Sequence, residues 1–239
     1  MIKSLLDMTL LLSLMLISAL RIGAQQAPAP ALTIAHPSLQ FSFEWLQGAP
    51  WQKYTIDVAA DGKAHFEGTP HPDETNDTDV FQQDFTVSGA NRQKIFALAQ
   101  KANYFRGDFD SHLKHIAQTG EKTLRYESPQ VNGSTTFNWS KDPDIEELTH
   151  YFQGVATTID FGRRLAFQYR FDKLGMNERM KELEDLQASH NVEELAIIAP
   201  ILRKIADDPN LMNISRESAG RLLRTISQSE AATQTQTAR

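Results

Sequence analysis

The segment from Tyr54 to Gly68 constrains the fold more than any other. Tyr54, Ile56 and Val58 alternate with Thr55, Asp57 and Ala59, Asp61-Gly62 follows, and Ala64 and Phe66 resume the alternation between Lys63, His65 and Glu67. A period of two sends successive side chains to opposite faces of a strand, and Asp-Gly supplies the positive φ of a tight hairpin turn. The chain must therefore build a sheet with one buried and one wet face, and the apolar face of such a sheet needs a second layer over it. Phe41, Phe43 and Trp45, alternating with Ser42 and Glu44, predict a strand from Gln40 that adds its aromatics to the same core.

Phe85 and Val87 mark a further short strand, and Ser88 reads as the N-cap of a helix to about Ala102, with Ile95, Leu98, Ala99 and Ala102 at helical spacing. A second hairpin is expected from Thr123 to Glu127 and Ser134 to Trp139, with Asn132-Gly133 in its turn and Trp139 and Phe137 in the core. Asp142-Pro143 opens a helix striped by Ile145, Leu148, Phe152, Val155 and Ile159, which should close the first domain near Asp160. Strands, helix, strands and helix in that order predict the α+β class, an antiparallel sheet with helices on one face.

Beyond Gly162 the pattern is helical only. Helices are expected over Arg163 to Lys173 and Asn177 to Ala188, the latter burying Met180, Leu183 and Leu186. Asn191, with Glu194 at the capping-box position, should start a helix kinked at Pro200, and Ser215 should cap the last one, with Leu222, Leu223 and Ile226 on its inner side. The paired acids Glu146-Glu147 and Glu193-Glu194 then fall in first helical turns, where negative charge complements the helix dipole. The expected organisation is a signal peptide over 1–24, a Pro/Ala-rich linker over 25–37, the α+β domain over 38–160, a helical segment over 161–226 and a disordered tail over 227–239.

Residues 38–160 resemble a family of exported bacterial domains of unknown function. The likeness rests on Tyr54-x-Ile56-x-Val58-x-x-Asp61-Gly62-x-x-x-Phe66-x-Gly68 and on the Ser88-started helix that ends in Tyr104-Phe105. The resemblance implies no catalytic residues. Members often carry cysteines just before the tyrosine, whereas Gln47 to Lys53 contains none, so a role tied to those thiols is absent here. Ile198 to Pro209, with Arg216 and Ala219-Gly220-Arg221-Leu222-Leu223, is similar to one HEAT-type helical repeat. A solenoid needs about three repeats to bury a continuous core, so a small helical subdomain packed on the sheet domain or on a partner is expected instead.

Lys3, the apolar run Met8 to Leu20 and the small residues Gly23-Ala24 read as a signal peptide cut before Gln25. The run falls short of the roughly 20 residues that span a bilayer, so no stable transmembrane span is expected; an uncleaved inner-membrane anchor is the alternative. The absence of cysteine removes disulfides, thiolate nucleophiles and Cys-ligated metals, and with the signal sequence it points to a periplasmic or secreted protein. A net charge of −6, with no stripe of Lys and Arg, argues against nucleic acid as a partner.

His112-x-x-His115 is the best metal-like spacing, because residues three apart share a helix face and neutral imidazole is a common ligand. Asp108 and Asp110 lie just upstream, and His65, His71 and Asp73 are possible third ligands; the competing reading is a pair of surface histidines in a polar loop. Trp51, next to Pro50 in an expected turn, is a candidate recognition residue for sugar or peptide. Phe161, Leu165, Phe167, Tyr169, Phe171 and Leu174 are apolar on more than one helix face, which predicts packing between domains, or a homodimer. No Gly-x-Ser-x-Gly elbow, phosphate loop or HExxH motif is present, and no cofactor is implied. The reading that follows is an exported, non-catalytic binding or interaction module whose partner is a protein or envelope component rather than a small molecule. A metal-assisted hydrolase using His112 and His115, and an envelope-docking or oligomerisation protein acting through the helical segment, are the alternatives.

Overall fold

The structure, a computed structural model, describes residues 36–45, 50–71 and 79–237, with side chains up to residue 231. The expected signal peptide, all but the last residues of the linker, and Asp73 lie outside the described residues.

Six strands form one antiparallel sheet: β1 (Ser38–Glu44), β2 (Trp51–Ala59), β3 (Lys63–Pro70), β4 (Phe81–Thr86), β5 (Glu121–Glu127) and β6 (Asn132–Phe137), in the order β4-β3-β2-β1-β5-β6. Helix α1 (Gly89–Lys101) follows β4; after β6 come α2 (Pro143–Phe171), α3 (Met176–Ala188), α4 (Ala199–Asp207) and α5 (Asn213–Thr237). The fold is α+β, and among the described residues no helix is long and apolar enough to cross a membrane.

The alternation read in the sequence sets the register. Phe41 pairs with Ile56, which pairs with Phe66, so the apolar sides of three strands form one surface. Helices α1 and α2 cover it, and Phe152 of α2 stacks flat on Phe41 at 5.2 Å between ring centroids. The opposite face is polar and paired across strands: Gln40 donates to Asp57 (2.7 Å), Gln82 to Glu67 (2.7 Å), and the Thr123 and Thr136 hydroxyls meet at 2.9 Å.

Helix α2 does not stop near Asp160. It runs on to Phe171, carrying Ile159 in the core of the sheet and Phe161 and Leu165 in a second apolar cluster with α3, α4 and α5. Gly162, expected at the change of segment, lies inside the helix, where a Cβ would collide with Ile198. One turn and two turns earlier, Thr158 Oγ1 donates to the Glu193 carbonyl (2.6 Å) and Gly154 lies under the Glu193 side chain. Gly154, Thr158 and Gly162 therefore share one helix face and form a trough in which Glu193 and Ile198, the two ends of residues 193–198, are seated.

Several local expectations change for identifiable reasons. Trp51, expected in an exposed turn, begins β2 and is 3% exposed: its ring packs on Phe66 (4.9 Å) and Gly68, its Nε1 donates to the Ala156 carbonyl (3.3 Å), and Arg163 covers it. Trp139, expected in the core, is 39% exposed, because β6 ends at Phe137 and the Asn138 N–H turns away to Asp110. Asn132 and Gly133 sit in β6, paired with Glu127 and Tyr126, while Ser128 makes the turn by bonding Val131 through both backbone and hydroxyl. Pro200 falls in the first turn of α4, where its missing N–H costs nothing, and starts that helix rather than kinking one. The last helix begins at Asn213, with Ser215 buried in its first turn, and continues to Thr237 through the stretch expected to be a tail.

Gly133 is required by its neighbour. Asn103, Tyr104 and Phe105 form a left-handed turn with φ of 50°, 55° and 62°, anchored by the buried Phe105 ring and by Tyr104 against Tyr126. That turn drives the Tyr104 carbonyl onto Gly133, where any Cβ would overlap it. Gly133→Ala should destabilise the fold by about 3 kcal/mol, read as a lower denaturation midpoint, because the obstacle is backbone that cannot rotate away.

Candidate functional site

Val192 to Ile198 leads away from the trough on α2, and its residues up to Ile197 form one wall of a groove of about 1080 Å³. The opposite wall is Gln83 to Val87 of the β4 region and the first turn of α1, while Thr225, Ile226, Ser229 and Glu230 of α5 close it from a third side. The open sheet face carries a smaller depression, of about 220 Å³, around Ser42, Lys53, Thr55 and Glu67.

The groove is held open by Glu194. Its backbone has left-handed φ (53°), a conformation costing a non-glycine residue about 1 kcal/mol, and it is 9% exposed. Four donors converge on Oε1: the Ser88 N–H (3.1 Å), the Ser88 hydroxyl (3.0 Å), Asn91 Nδ2 (2.9 Å) and the Tyr151 hydroxyl (3.1 Å). Burial and the adjacent carboxylate hold the Tyr151 phenol far above its ordinary pKa, so it stays a donor. Ser88 also caps its own helix by accepting from the Asn91 N–H (3.4 Å). Glu194 thus places a carboxylate at the positive end of α1 from over a hundred residues away in sequence.

Glu193 and Glu194, expected in the first turn of their own helix, lie outside any helix, and it is the N-terminus of α1 that Glu194 serves. Asn191 starts no helix, and α4 begins only at Ala199. Glu193, beside it, is half-buried against Gly154, and burial raises its pKa above the usual range.

The histidine loop is built differently from the expected metal site. His112 and His115 have φ of 50° and 66°, so they share no helix face, and both are exposed. His112 Nε2 bonds Asp108 Oδ2 (2.7 Å) and its N–H donates to Asp110 (2.6 Å); the Asp108 contact raises the imidazole pKa. His65 lies on β3 against Asp84 (2.6 Å), at the other edge of the sheet from the Asp110–Asn138 contact that ties this loop to the end of β6. His71 follows β3 and donates its N–H to the Pro50 carbonyl. Among the described residues no three His, Asp or Glu side chains come together in a way that could hold a metal ion. The aromatic stripe divides: Phe161 and Leu165 are buried, Tyr169 is partly buried, and Phe167, Phe171 and Leu174 are 65%, 63% and 88% exposed.

The molecule is therefore an α+β protein in which one long helix serves two apolar cores, with an acidic, apolar-walled groove beside an edge strand. The chain matches no family model and no curated protein.

Glu194→Ala should cost about 3 kcal/mol, since it strands four donors and uncaps α1, whereas Glu194→Gln, which keeps an acceptor oxygen, should cost less; chemical denaturation separates the two. Glu193 behaves oppositely. Its pKa is higher folded than unfolded, so its contribution to stability is complete below the ordinary Glu range and is lost as pH rises through the raised value. Glu193→Gln should therefore stabilise the protein at pH 7, and the gain should vanish at about pH 3.

Proposed function

We propose that this protein is a non-catalytic binding module, working outside the cytoplasm, that takes a segment of a partner protein in the groove between β4 and α5. The observation that carries this reading is the character of the groove. Phe85, Val87, Val192, Leu195, Ile197 and Ile226 give it apolar walls, and it is far larger than the depression on the open sheet face. Its most buried polar side chain, Glu194, is already engaged by four donors that fix the architecture, and this leaves it unsuited to act as a general base. The apolar run Met8 to Leu20 supports export, and the Tyr54 to Gly68 hairpin supports a place among the exported domains it resembles.

Selection of a randomised peptide library against the full chain tests this reading, and it requires no identified partner. Enriched peptides should compete with one another and lose roughly tenfold or more in affinity to Ala196→Trp, an exposed lining position where indole fills the groove. Failure to enrich any peptide, or binding indifferent to Ala196→Trp in a protein that still melts normally, would overturn it. Stoichiometric zinc abolished by Ala at both His112 and His115 would favour the hydrolase instead.

A further inference from the structure

The groove runs along a sheet edge, and we infer that its ligand is an extended, Lys- or Arg-bearing segment of a partner protein that adds to β4 as a seventh strand. This rests on the binding-module reading and specifies its mode and its chemistry.

Register decides which backbone groups are on offer. Val87 N–H donates inward to the Gly62 carbonyl (2.9 Å), and β4 is paired with β3 at Phe85–Ala64, Gln83–Phe66 and Phe81–Gly68. Inward-pointing residues alternate along an antiparallel strand, so Gln82, Asp84 and Thr86 present their N–H and C=O groups to the outer edge. No described residue hydrogen-bonds to those outward groups. The other edge of the sheet is handled differently, since the left-handed turn lays the Tyr104 carbonyl against Gly133 of β6. Edge strands are normally blunted by Lys, Pro, bulges or a cover; β4 reads Phe-Gln-Gln-Asp-Phe-Thr and carries neither Lys nor Pro.

Side chains define the occupant. A strand laid beside β4 would turn alternate residues into the groove, against Phe85, Val192, Leu195 and Ile226. Asp84 turns to the open face against His65, but the groove itself holds the carboxylates of Glu193, Glu194 and Glu230 beside His190 and neither Lys nor Arg, so the alternate residues that enter it should be apolar with a Lys or Arg among them. A second copy pairing β4 to β4 antiparallel about Asp84 is disfavoured, because it would set the two Asp84 residues directly opposite each other.

The test uses the full chain and synthetic peptides of about seven residues, a usual strand length. One peptide places Val or Ile and Lys or Arg at alternate positions with Ser or Thr between them, a second has Glu for every basic residue, and a third repeats the first with alternate backbone nitrogens methylated. The basic peptide should bind by fluorescence anisotropy. Methylation of the nitrogens that face β4 should weaken binding roughly tenfold or more, as should Thr86→Pro, which deletes an outward N–H without touching the ladder to β3. The Glu peptide should not bind, and Glu193→Gln with Glu230→Gln should lower both affinity and its salt dependence. Binding of the basic peptide that ignores both Thr86→Pro and methylation, yet is lost in Ala196→Trp, would overturn strand addition while leaving the binding module intact. Equal binding of the Glu peptide, or a dimer in sedimentation that Thr86→Pro dissolves, would also overturn the inference. Absence of binding by every peptide, together with a barren library selection, would remove both readings.

Discussion

The structure depends on the seating of residues 193–198 in the trough of α2. Gly154 and Gly162 make room there for Glu193 and the Ile198 side chain, and Thr158 donates to the Glu193 carbonyl at 2.6 Å. Side chains larger than these would hold the segment off the helix by several ångströms, roughly the difference between a glycine contact and an ordinary helix packing distance. From this seat Glu194 reaches the N-terminus of α1 and Ile198 enters the second core. One short segment thereby ties together the sheet layer, through α1, and the helical layer, through α4.

This arrangement also explains why a groove exists at all. The sheet layer buries its apolar face under α1 and α2, and the helical layer buries its own around Phe161, Leu165 and Leu202. Two cores strung on one helix leave a gap wherever neither has side chains long enough to reach the other. The left-handed Glu194 turns the chain within the wall that faces β4 and α5 across the groove. The strain at φ 53° is held by four hydrogen bonds to the same residue, so a binding surface need not form at the moment of binding.

Much of the sheet was legible because a period of two is an unambiguous signal when Asp-Gly separates the arms. The helix stripes were legible too, as were the caps at Ser88 and Asp142, both of which accept from the first-turn N–H groups. What failed were residues with two physical uses. Gly133 reads as a turn residue and is a site of close approach; Gly162 reads as a segment boundary and is the same. The spacing Gly154-xxx-Thr158-xxx-Gly162 is present in the sequence as a small-residue face, and in that light it predicts a packed partner rather than a break. The chemistry of Glu194 places it correctly at a helix terminus and its locality places it wrongly, because one sequence does not show which helix a carboxylate serves. Trp51 misleads because Pro50 suggests a turn, whereas the strand begins immediately after it. His112 and His115 are spaced for a helix, and their positive φ removes the shared face on which that argument stands.

The contrast between the two sheet edges bears on why β4 lacks the usual protection. An exposed edge invites pairing with any extended chain, and proteins ordinarily oppose it with cationic side chains or proline. Here Asp84 of β4 and Glu193 and Glu230 across the groove oppose it selectively: like-charged strands, including the acidic β4 of a second copy, are repelled, and cationic ones are not. A net charge of −6 on the whole chain adds a long-range attraction for a basic segment approaching the edge. Negative charge beside an edge that no described residue pairs would thus perform two tasks that Lys or Pro trade against each other, discouraging self-pairing while leaving the strand's hydrogen bonds open to a partner of opposite charge.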